Sequence, residues 1–355
     1  MNLRDNIKLI VLTAIFWVLC FYVGNLYQIS RVKEIATVNA QAQSAPVQDQ
    51  ILGESVTRND TQAPEVLAVY NKSPVVSEQS YIEIKVNELL DTTLTPLVLE
   101  SNDSNSYTYK YSISGLKEGV NEVDLSLADA AGNATTQQFR ITRYSVMECL
   151  EKRNGSIETV QFPNALDTVV DKFHKLPDNY APPDLINGRN YGIPTLGGSF
   201  MRELALDPLK QMLKDIQAAR IDVTVSSGYR SIASQQKVYN QWVSNVGAAN
   251  ANQYAALPGF SEHHLGTAFD LLTNENGHTT VPSFENTRLG KWLKANAFRY
   301  GFVMSYPKGM QQITGYNFEP WHWRYVGPEL AVKINESGKT PVEYFYMVNN
   351  INCGQ

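Results

Sequence analysis

Ser261-Glu262-His263-His264-Leu265-Gly266-Thr267-Ala268-Phe269-Asp270 and, further on, Glu319-Pro320-Trp321-His322-Trp323-Arg324-Tyr325 hold three of the chain's five histidines, several carboxylates and a dense aromatic flank. Neutral imidazoles plus a carboxylate are the ligand set that holds a catalytic zinc while leaving a fourth position open to water. Gly266 lets the backbone bend between the loop that presents His263 and a strand, Ala268 to Leu272, that presents Asp270. In the second stretch Trp321, Trp323 and Tyr325 alternate with His322 and Arg324, so His322 and Arg324 share one strand face. Glu319 lies three residues before His322 with Pro320 between them, which puts it in the entering turn, free to approach a metal-held water. His263, Asp270 and His322 are therefore the candidate ligands, and Glu319 is the candidate general base of a metal-assisted hydrolase. Each residue alone reads as ordinary structure; the conjunction carries the chemistry.

The residues around these stretches predict an α+β domain. Asp207-Pro208 makes a helix start, with Asp as N-cap and Pro at the first helical position. Leu209, Met212, Leu213 and Ile216 then line one face, as core packing. Ile221 to Val225 reads as a strand leading into Ser226-Ser227-Gly228-Tyr229-Arg230-Ser231, followed by helices over 234–243 and 289–298. His264 points away from the site on a regular backbone. His174 and His278 read as surface or packing residues.

Outside this region the composition shifts three times. The 355 residues are too many for one average domain, and a net charge of −5 without a long basic run excludes nucleic acid as the main partner. Arg4 and Lys8 precede an apolar run over 9–27, long enough at 1.5 Å per residue to cross a bilayer. Residues 1–8 are then the cytoplasmic N-terminus, and 9–27 an uncleaved transmembrane signal anchor that leaves the rest of the chain outside. Residues 28–64, rich in Gln, Ala, Ser, Asn and Asp, read as a flexible linker. Over 65–143 apolar residues alternate with polar ones (Ile82, Ile84, Val86; Tyr107, Tyr109, Tyr111, Ile113; Val123, Leu125, Leu127; Phe139, Ile141), the pattern of a small β-sandwich. Its last turns, Gly119-Val120-Asn121 through Asp129-Ala130-Ala131-Gly132-Asn133, look like those of bacterial immunoglobulin-like wall domains. Residues 144–355 form the catalytic domain. Cys20, Cys149 and Cys353 make no CxxC pair, which argues against a thiolate metal site.

The pattern Ser261-x-His263-x-x-Gly266-x-Ala268-x-Asp270 with Glu319-x-x-His322 resembles the D-alanyl-D-alanine carboxypeptidases of the vancomycin-resistance type, within the lysostaphin/D-Ala-D-Ala metallopeptidase group. Ser227-Gly228-Tyr229-Arg230-Ser231 with Gln236, Pro258-Gly259 and the run from Trp321 to Gly327 add to the likeness, which spans about 176–330. The resemblance implies zinc on His263, Asp270 and His322, with Glu319 as general base. Arg230 would stabilise the oxyanion, and Ser261 and Gln236 would contact the substrate peptide. It further implies peptidoglycan stem peptides as substrate and an extracytoplasmic location. There, Cys149 and Cys353, which lie on either side of the stretch that carries the likeness, would pair as a disulfide. Leu257 and Phe260 depart from the family's usual residues beside the site, which bears on substrate preference. An L,D-carboxypeptidase or an endopeptidase on the same stems is the nearest alternative. An inactive wall-binding protein is the alternative from another class.

Overall fold

The computed structural model describes residues 60–349, 351 and 353, apart from 72, 94, 154, 198 and 199. The apolar run over 9–27, read above as a membrane anchor, and nearly all of the linker lie outside the described residues. No helix among the described residues is long and apolar enough to cross a membrane.

The alternating stretch folds as two antiparallel sheets. Strands β1 (Val66–Asn71), β2 (Ser80–Val86), β3 (Leu97–Asp103) and β4 (Ser106–Ile113) lie in the order β1-β2-β4-β3, and β5 (Gly119–Ala128) pairs with β6 (Ala134–Arg143). Period 2 turns Ile82, Ile84 and Tyr109 from the first sheet and Leu125, Leu127 and Ile141 from the second into one apolar core. The β5–β6 turn is built by Asp129, whose Oδ1 accepts from the backbone N–H of Ala131 and Asn133 at 2.8 and 2.9 Å.

After α1 (Val146–Lys152), capped by Ser145 and Glu148, come two small pairs of strands. β7 (Glu158–Thr159) runs parallel to β8 (His174–Lys175), and β9 (Leu185–Asn187) antiparallel to β10 (Phe200–Arg202). Helix α2 (Leu206–Ala218) then packs Leu209, Met212, Leu213 and Ile216 into the main core, each burial stabilising by roughly 1.5–3 kcal/mol. Its start differs from the sequence expectation. A 3-10 turn over Glu203–Ala205 runs directly into α2, so Asp207 and Pro208 fall inside the first turn and Asp207 does not cap. The strand expected over 221–225 is β11 (Thr224–Ser227), and α3 (Ile232–Val246) is longer at both ends than the sequence suggested, capped by the Ser231 hydroxyl. The short α4 (Ala248–Ala251) follows.

The central sheet continues with β12 (Ala268–Leu272). After α5 (Arg288–Asn296) come β13 (Phe302–Met304), the short α6 (Gln311–Thr314), and β14 (His322–Tyr325). The strand order is β11-β12-β14-β13, and every pairing is antiparallel. Phe269 and Leu271 face the core with α2 and α5, which leaves Asp270 on the opposite face. The chain ends in α7 (Pro328–Ser337) and α8 (Pro341–Val348). Cys149 of α1 is disulfide-bonded to Cys353, 204 positions later, inside a core shared with Phe345 and Tyr346 of α8.

Candidate active site

Sheet register assembles the site. Asp270 on β12 pairs with Ser227 on β11 and with His322 on β14, so three positions of one row face the same side. His263 arrives from the 3-10 turn Glu262–Leu265, which ends at Gly266 with φ +67°. A Cβ there would also meet Arg202 and Leu185 at 3.0–3.1 Å, so both conformation and space favour glycine. Glu319 lies in the turn before β14, its backbone N–H bonded to the Tyr306 carbonyl and its own carbonyl accepting from His322 N–H.

The ligand atoms of His263, Asp270 and His322 all lie within 4.8 Å of one another, and the three residues are buried. Nδ1 of His263 faces the Gly228 carbonyl at 2.8 Å and donates to it, which frees Nε2, 3.4 Å from Asp270 Oδ2. His322 is turned the other way. Its Nε2 donates to Oε2 of Glu262 at 3.0 Å, leaving Nδ1 3.3 Å from Asp270 Oδ1 and 3.9 Å from Glu319 Oε2. Despite that proximity Asp270 Oδ1 is buried without a hydrogen bond, as an oxygen reserved for a metal would be. Two imidazole nitrogens and a carboxylate so arranged fit zinc, with the outward nitrogen of each histidine held by a carbonyl or carboxylate.

Burial opposes a charge on His322, but its bonds to Asp270 and Glu262 prevail and raise its pKa to about 10, so a metal at Nδ1 would displace a proton there. The other residues suit a metal site directly. Burial lowers the His263 pKa, as suits a neutral ligand. Asp270 stays well below the usual carboxylate range because His263 and His322 outweigh the cost of burial. Glu319 is pushed by burial up to about 8, and Asp270 adds to that rise against His322. Tyr306 and Tyr316, which line the same cleft, are held by burial well above 10 and stay neutral donors.

Arg230 reaches the cleft from the turn after β11, its Nη2 donating to Ser227 Oγ at 2.8 Å and its Nη1 to Gln235 Oε1 at 2.9 Å. Ser261 lines the same cleft of about 340 Å³, and its hydroxyl accepts from His263 N–H at 3.3 Å. Gln236 is not brought to the site. It is exposed on α3 and bonds Asn240 at 2.8 Å, because one step along a helix turns a side chain by about 100°. The buried neighbour Gln235 takes that place, tied through Nε2 to the Ala256 carbonyl at 2.8 Å.

Two further residues escaped the sequence reading. His264, expected to point away, is fully buried. Its Nδ1 donates to the Arg230 carbonyl at 2.6 Å while Nε2 accepts from Gly259 N–H at 3.1 Å, so it secures the turn that carries Arg230. Burial depresses its pKa to about 4, which keeps it neutral. Glu262 is buried against His322; the available signal was a carboxylate directly beside the candidate ligand His263. His174 is a packed residue, its Nδ1 2.8 Å from Asp171 Oδ1, and His278 stands outside the cleft.

A histidine-carboxylate-histidine centre beside an unliganded glutamate and an arginine, on an antiparallel sheet, defines a metallopeptidase-type site. Residues 198–328 match the family model described as VanY, D-alanyl-D-alanine carboxypeptidase. A putative carboxypeptidase of Bacillus subtilis is 37% identical over 208 residues, 56% of this chain and 74% of that protein. A bifunctional D-Ala-D-Ala dipeptidase and D-Ala-D-Ala carboxypeptidase of Enterococcus gallinarum is 32% identical over 182 residues, 50% of this chain and 91% of that one. The structure of the LdcB LD-carboxypeptidase superposes with a TM-score of 0.50 at 35% identity, covering 55% of this chain and 91% of that chain. The chain belongs to the VanY family of D-alanyl-D-alanine carboxypeptidases.

Proposed function

We propose that this protein is a zinc-dependent carboxypeptidase that removes the terminal D-Ala from peptidoglycan stem peptides ending in D-Ala-D-Ala. The observation that carries the reading is the convergence of His263, Asp270 and His322 with Glu319 and Arg230 in one cleft. Zinc, when bound, supplies a Lewis acid that brings a water to a pKa of about 7 and favours the anionic form of nearby Glu319. Glu319 takes the proton from the attacking water and later delivers it to the leaving amine. Arg230, fixed by Ser227 and Gln235, faces the scissile carbonyl and stabilises the developing negative charge. Ser261 lines the cleft and contacts the peptide, while the buried Gln235 acts by holding Arg230.

The remaining sequence expectations complete the proposal. The segment over 9–27 anchors the chain, 28–64 tethers it, 65–143 is an immunoglobulin-like spacer, and 144–355 works outside the membrane on the wall. The deciding assay incubates the protein with pentapeptide and tetrapeptide muropeptides and reads the products by mass. Loss of one D-Ala from the pentapeptide, abolished by a chelator and restored by zinc, is the expected result. Release from the tetrapeptide alone would make it an L,D-carboxypeptidase, like the 35% identical LdcB LD-carboxypeptidase.

A further inference from the structure

Each of the two ligand-bearing segments also carries one member of a buried ion pair. Glu262 immediately precedes His263, and Arg324 follows His322 by two residues on the same face of β14. Arg324 Nη1 donates to Glu262 Oε1 at 2.9 Å, while the other carboxylate oxygen accepts from His322 Nε2 at 3.0 Å and from Ser305 Oγ. Arg324 Nη2 is fastened in turn to the carbonyls of Leu166 and Thr168 at 3.0 and 2.7 Å. The two side chains are 7% and 1% exposed, so water does not compete for these bonds.

We infer that Glu262 and Arg324 form a clamp that holds the two ligand-bearing segments in register and fixes the His322 ring before any metal arrives. The inference rests on the reading of His263, Asp270 and His322 as the ligand set. Both are positioning residues, acting through His322. The ring of His322 lies against Tyr306 and edge-on to His263, contacts that restrain its plane without choosing which nitrogen faces the cleft. The Glu262 carboxylate makes that choice: at 3.0 Å it takes the Nε2 proton, closer than Asp270 Oδ1 stands to Nδ1 at 3.3 Å, and so leaves Nδ1 as the nitrogen turned toward Asp270. A general stabilising role explains the pair less well. Arg324 Nε is buried without an acceptor, and a buried ion pair contributes little more than well-packed apolar residues would. What such a pair does well is specify one geometry.

The test is made on the full chain, stripped of metal, by zinc competition against a chromophoric chelator and by nitrogen-15 NMR of the His322 imidazole at a pH high enough for the ring to be neutral. Glu262→Gln should keep the far-ultraviolet circular dichroism, weaken zinc binding about 10- to 100-fold and give His322 a mixture of tautomers. Wild-type zinc affinity with an unchanged Nε2–H tautomer would overturn the clamp. Should that variant not fold, Ser305→Ala, which removes one bond from the same carboxylate, decides the matter. Weaker zinc binding supports the clamp, and wild-type affinity overturns it. Weaker zinc binding in Glu262→Gln, together with a zinc-loaded wild-type chain that cleaves no stem peptide, refutes the proposed function and leaves the clamp standing. A wild-type chain that binds no zinc refutes both.

Discussion

Arg230 and Gln235 are joined through Nη1 and Oε1 at 2.9 Å, and Gln235 is in turn tied to the Ala256 carbonyl, so the guanidinium is aimed by α3 rather than by its own turn alone. Losing a hydrogen bond to a charged group costs roughly 1.5–3 kcal/mol, so Gln235→Ala should lower kcat/KM by about tenfold or more. Gln236→Ala, a surface change, should stay within about twofold of wild type. Steady-state kinetics on a pentapeptide stem compare the two, and the reverse ranking would refute the assignment of Gln235. Arg230→Lys should lower kcat by about 10²–10³, since a lysine loses the forked geometry that Ser227 and Gln235 hold.

Glu319→Gln should retain stoichiometric zinc and lose about 10²–10⁴ in kcat, the usual contribution of a general base. Elemental analysis alongside the muropeptide assay reads both quantities. Turnover at the wild-type rate would show that another group carries the proton.

The stability of the catalytic half should depend on pH on two sides. Burial pushes the Asp171 carboxyl up, but His174, the Phe173 N–H and the Tyr346 hydroxyl outweigh it and hold the pKa below its ordinary value. Asp171 therefore contributes stability above the unfolded pKa of about 4, and that contribution fades as pH falls below it. Lys172, next in sequence, is lowered by burial to about 7, against the pull of Asp171 and Glu319. Between about pH 7 and 10 the unfolded chain binds the extra proton, so stability should rise with pH across that window. Urea midpoints recorded from pH 3 to 10 should show both limbs. Asp171→Asn should blunt the first and Lys172→Met the second.

Removing the Cys149–Cys353 bridge should destabilise the protein by about 2–5 kcal/mol, because the bond closes a very long loop in the unfolded chain. The paired Cys149→Ser and Cys353→Ser variant, unfolded in denaturant without reductant, measures this. Adding reductant to the wild type should shift its midpoint toward that of the variant, and a variant as stable as the oxidised wild type would contradict the prediction.

The candidate ligands were legible because local chain geometry fixes each of the two stretches that carry them. A glycine-ended turn before a strand brings His263 toward Asp270, and period 2 places His322 and Arg324 on one face. The alternation over 65–143 likewise reports which side chains enter a core, since burial follows the pleat. The start of α2 was not legible, because the Asp207-Pro208 signal is the same whether the chain enters from an extended segment or, as here, from a 3-10 turn.

His263 with Asp270, and Glu319 with His322, were thus readable as candidates from residue type and spacing within each stretch, while the β12–β14 register brings the two stretches together. Which glutamine meets Arg230, and which nitrogen of each histidine turns toward Asp270, were decided only by tertiary structure. The physical reason is that these choices depend on partners distant in sequence: Ala256 for Gln235, Gly228 for His263, and Glu262 for His322. Short spacing constrains which face of an element a residue occupies, whereas the direction of a hydrogen bond is set by whatever the fold places opposite it.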